Sequence, residues 1–154
     1  MPRKATTTDA ELILKIYDLR REPEMRKARN WWGNEFWPQS ADDIIRIATS
    51  FGSPENAWLR QVAGYWDMVA SLVMHGALNE ELFLEPGNSG ELFFIFAKIQ
   101  PYVQEFREKM NSPEAFVNIE RLAMKTEQTR ERLSRMKERI AAFQKMRAEV
   151  ARAS

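Results

Sequence analysis

The chain has no cysteine and one histidine, His75. The first absence removes disulfides, thiolate nucleophiles and cysteine-based zinc sites together. The second removes most zinc hydrolases and Ser-His-Asp enzymes, which rely on histidine as ligand or base. Glu-x-x-His, His-Glu-x-x-His, the P-loop and Gly-x-Gly-x-x-Gly are also missing. The sequence therefore implies no di-iron, zinc or nucleotide chemistry, and no cofactor. Long apolar runs are lacking too. Val62–Met74 is interrupted by Asp67, and Leu92–Ile99 is short. Neither approaches the ~20 residues of a membrane span. The opening MPRKATTTDAE has no apolar core behind its basic residues, so no signal peptide is expected and a cytoplasmic location is. Charge of one sign is also lacking. The net charge is +1, so binding to nucleic acid or anionic lipid would need a local patch.

Acids occur as the adjacent pairs Asp42-Asp43 and Glu80-Glu81, whose members point apart and suit helix starts better than paired-carboxylate chemistry. No catalytic or metal-binding residue is assigned, and an enzyme is not expected. His75 precedes Gly76 at a helix end, where capping or packing is its expected role.

What is present is helix punctuation. Thr8-Asp9-Ala10-Glu11 reads as a cap before ELILKIYDLRR. Glu22-Pro23-Glu24, Ser40–Asp43, Ser53-Pro54-Glu55 and Ser112-Pro113-Glu114 read as further starts. Gly33, Pro38, Gly52 and Gly76 read as stops. Asn79–Phe83 predicts a short helix, and Glu85–Gly90 an open loop. The next helix, from about Glu91 to Met110, should bend at Pro101. Its "LFFIF" is strand-like by composition but follows a helical period: Leu92, Ile95, Phe96, Ile99, Val103, Phe106. The expected fold is all-α: a five-to-six-helix domain over residues 8–124, then a basic helical extension over residues 125–152.

From Pro113 to about Arg152 the spacing predicts one long helix. Its apolar pattern thins to Leu133, Met136, Ile140, Phe143 and Val150, a two-in-seven seam with Arg147 at a core position. Two readings stand. The seam packs along the body, or the half from Thr126 onward leaves the body and pairs with a second copy, making the protein a homodimeric coiled coil. Residues 125–152 carry nine basic against four acidic side chains, +5, leaving −4 on the rest. A nucleic-acid-binding arm using Arg130, Arg132, Arg135, Lys137 and Arg139 is thus an alternative, less favoured than a solvated helix face.

The stretch RKARNWWGNEFWPQS concentrates three of five tryptophans. Nearby Glu24, Glu35, Asp42 and Asp43 offset its basic residues, so core filling is expected over base stacking. A small-molecule pocket near Trp31, Trp37, Trp66 and His75 is the third functional alternative.

Residues Tyr17–Arg29, Phe36-Trp-Pro38, Tyr65-Trp66 with Leu72–Leu78, and Ile119–Ala123 resemble a family of small bacterial all-helical proteins of unknown function. The resemblance spans about residues 11–125. It implies bacterial origin and a helical fold, and brings no activity or catalytic residue. The leading expectation is a non-enzymatic interaction or scaffold protein that self-associates through its last helix.

Overall fold

Helices follow one another almost without pause in the computed structural model, which describes residues 2–154. They are α1 Thr7–Leu19, α2 Pro23–Asn34, α3 Ala41–Thr49, α4 Pro54–Met74 and α5 Glu80–Phe83, then α6 Pro86–Ile99, α7 Val103–Lys109, α8 Val117–Ala123 and α9 Glu127–Ala153. A 3-10 turn, Gln100–Tyr102, joins α6 to α7 where Pro101 removes a donor. No strand occurs among the described residues. The fold is all-α, and LFFIF is helical.

The core has two posts. α4 packs against α2, α3 and α8. Its buried Leu59, Val62, Trp66, Val69 and Val73 recur at three- and four-residue steps. α6 packs against α8 and α9, and every residue from Leu92 to Ile99 except Phe94 is buried. A helix apolar all round belongs at the centre of a bundle. Full burial of each such Leu, Ile or Phe contributes about 1.5–3 kcal/mol.

Three expectations are corrected. α1 is capped by Thr6, not Thr8, because Thr6 and Asp9 form a reciprocal capping box. Asp9 is almost fully buried and accepts from Arg3 Nη1 and Nη2 (both 2.6 Å) and from the Asn79 amide (2.9 Å). The Arg3 guanidinium holds this carboxyl far below the ordinary carboxylate range against the penalty of burial. Glu85–Gly90 is not a loop. Pro86 occupies the first position of α6, and Ser89 Oγ donates back to Glu85 O at 3.0 Å.

The long last helix is two helices. Ser112 donates to the Glu114 side chain instead of capping an amide, residues 113–116 turn, and α8 starts only at Val117. Phe116 before it is left-handed (φ 60°), and the first amides of α8 are capped from another helix. Asp67 of α4 accepts from the Asn118 amide (3.0 Å), Asn118 Nδ2 (2.9 Å) and the Ile119 amide (3.2 Å). The helix ends at Ala123, and Thr126 and Thr129 cap α9 reciprocally. Threonine hydroxyls compete with helical continuation in this way.

Candidate functional site

α9 lies along α6, and its two halves differ. Leu133 and Ile140 are buried against the body, with Met136 half-buried beside them. The reading that everything from Thr126 onward leaves the body is therefore corrected: these three residues complete the core. Beyond Ile140 the seam surfaces. Phe143 is 49% exposed, Met146 57% and Val150 70%. The cause is helical geometry. A seven-residue repeat on a helix that does not supercoil drifts about 20° per heptad. Thr129, Met136, Phe143 and Val150 form one such row, which has turned about 60° by its end. The other row brings Arg147 inward. Its Nη1 donates to Asn34 O at 3.2 Å, and its guanidinium lies 5.6 Å from the Trp37 ring centre.

Side chains from neighbouring helices hold the C-terminal carbonyls of several helices, where the dipole favours donors and cations. Buried Asn56 donates to Ile47 O and Ala48 O at the end of α3. Arg132 of α9 donates to Leu84 O and Ser89 Oγ (both 2.8 Å) with its guanidinium over Phe93. Burial, then Arg135, lowers its pKa. Lys98 of α6 is 5% exposed and donates to Trp32 O and to Phe36 O (2.8 Å) at the end of α2. Its ammonium lies 3.5 Å from the Trp37 ring centre and 4.5 Å from that of Phe94. Among the described residues Lys98 forms no ion pair, and burial followed by Arg147 pushes its pKa down to about 7. Sequence reasoning missed this residue, although a lysine inside LFFIFAKI was its signal.

Two clefts meet at half-buried Trp37. One, about 760 Å³, lies between the exposed half of α9 and the body; its walls include Gly33, Trp37, Phe94, Phe143, Met146 and Val150. The other, about 200 Å³, is bounded by Trp37, Lys98, Pro101, Tyr102, Lys137 and Ile140. The proposed aromatic pocket does not assemble. Trp31 and Trp66 are closed inside the core, with the Trp66 indole N–H on Glu91 (3.0 Å). His75 is exposed at the end of α4, its Nδ1 2.8 Å from Ser71 O. Nor do the five basic residues form one stripe. At 3.6 residues per turn, Arg130 and Lys137 fall on one flank of α9 and Arg132, Arg135 and Arg139 on the other. Arg132 is also engaged with the body, and Arg130 Nη1 donates to Met124 O at 2.9 Å. Among the described residues no group of three or more His, Asp or Glu is placed to hold a metal ion, and no helix is long and apolar enough to cross a membrane.

Fold and site together define an all-helical domain closed by a C-terminal helix that is half embedded and half bare. The chain belongs to the family described as a domain of unknown function, DUF4760, whose model matches residues 5–126. That match ends at Thr126, the N-cap of α9. No curated protein and no solved structure matches the chain.

Proposed function

We propose that this protein is a non-enzymatic interaction domain that self-associates through the C-terminal half of α9. Two copies pair about a two-fold axis, each placing its Phe143, Met146 and Val150 in the groove that the other forms with Trp37 and Phe94. The observation carrying this reading is that the bare apolar stripe also forms one wall of an apolar groove. A surface that is both ridge and groove is self-complementary, as a two-fold interface requires. Charge does not oppose it. Beyond Ile140, Arg147 is bound to its own body, leaving Lys145 and Arg152 against Glu149. A terminal helical stretch this short is marginal in water without packing.

Light scattering on the full chain tests the reading. The expected mass is twice the 18.0 kDa of one copy. The double variant Phe143→Asp with Val150→Asp should halve it while leaving far-ultraviolet circular dichroism unchanged. A monomer for the unaltered chain at about 0.1 mM, or a dimer that survives both aspartates, rejects the reading.

A further inference from the structure

We propose that the smaller cleft, beneath Ile140, binds a small organic carboxylate, with the carboxylate between Lys98 and Lys137 and its apolar portion against Pro101 and Ile140.

Charge imbalance is the first support. The chain carries 22 acidic residues, yet none lines this cleft. Its charged walls are Lys98 and Lys137 alone, with the amides of Gln39 and Gln144 at its edge. The groups facing the Lys98 ammonium are two carbonyls, two aromatic rings and the cation Arg147. Two of its N–H donors reach the carbonyls of Trp32 and Phe36, and the third has no hydrogen-bond acceptor among the described residues. Buried charges are ordinarily paired. Among the described residues no carboxylate pairs with Lys98.

Lys137 points the same way. It makes no ion pair or hydrogen bond among the described residues, and burial depresses its pKa although its own helix carries Glu138. An anion between the two lysines would relieve both penalties. The walls then select the kind of anion. Trp37, Pro101, Tyr102 and Ile140 surround the cations with apolar surface. A fully hydrated ion such as phosphate gains nothing from that surface, whereas a carboxylate on a small apolar frame buries it. At about 200 Å³ the cleft is too small for a nucleic-acid strand.

The test is titration calorimetry of the full chain with sodium benzoate at pH 7, in two buffers of different ionisation heat. Sodium chloride of equal ionic strength and inorganic phosphate are the comparison arms. Benzoate should bind with proton uptake, because an anion raises the midpoint of Lys98 from about 7. Lys137→Met should weaken binding about tenfold, the loss of one charge-assisted hydrogen bond. Ala141→Phe, at an exposed position on the cleft wall, should block it. Lys98→Met should abolish both binding and proton uptake; if that variant does not fold, the other two decide. The proposal is overturned by no heat beyond the chloride arm at about 10 mM benzoate. It is equally overturned by phosphate binding as well as benzoate, or by affinities unchanged in Lys137→Met and Ala141→Phe.

Discussion

The two halves of α9 carry one sequence pattern and meet different surroundings. From Thr126 to Ile140 the seam is buried on α6, and Arg132 is bonded to the end of α5. From Ala141 onward the same spacing leaves Phe143, Met146 and Val150 in solvent, and Arg147 is the residue bonded to the body. A heptad repeat specifies a helix and a stripe but not what covers the stripe. The body covers its first two heptads, and the drift of the repeat decides where that cover ends.

The largest expected difference between the halves is in core energetics. Leu133→Ala should lower unfolding free energy by about 2–5 kcal/mol, whereas Phe143→Ala should change it by less than about 0.5 kcal/mol in the monomer. Urea denaturation of both variants checks this, and equal effects would erase the distinction. Leu133→Asp and Ile140→Asp should accordingly unfold the domain rather than merely dissociate a dimer.

The second expectation concerns Lys98, which lies beneath the junction of the halves. Its pKa is depressed from about 10.4 to about 7, so between those values the unfolded chain binds more protons than the native one. Stability from this group therefore rises from about pH 7 to about pH 10 and is lost as the pH falls back through that window. Lys98→Met should flatten the slope of urea midpoint against pH there. Tyr65, half-buried with a pKa raised by desolvation, acts in the opposite sense only above about pH 10.

Next comes the start of the embedded half. Thr126→Ala removes its cap and should cost about 1 kcal/mol in thermal or urea unfolding. The smallest effect belongs to Arg147→Ala. Global stability should move by less than about 0.5 kcal/mol, while amide exchange over residues 143–152 accelerates and that over 129–140 does not.

Much of this comparison was legible in the sequence. The seam residues and the intruding Arg147 are both visible as spacing. Their consequences were not, because coverage depends on rotation about the helix axis relative to α6, and a one-dimensional pattern fixes only relative angles. Glu85–Gly90 was misread because two glycines and a proline usually punctuate. Here Pro86 opens the helix and Arg132 reaches Ser89 within its first turn. The tryptophans were read correctly as core where Trp31, Trp32 and Trp66 are concerned. Lys98 escaped notice because its partners are backbone carbonyls 62 and 66 positions away, and carbonyls leave no mark in sequence.

Asp67 appeared in the sequence only as a blemish in an apolar run. Its contacts imply an order of events. α8 has seven residues, follows a left-handed phenylalanine and donates its Asn118 amide to a side chain 51 positions earlier. A helix so short does not persist alone. It should therefore be among the last segments to form, after α4 is in place, so that replacing its buried Ile119 or Leu122 by alanine speeds unfolding with little effect on the refolding rate.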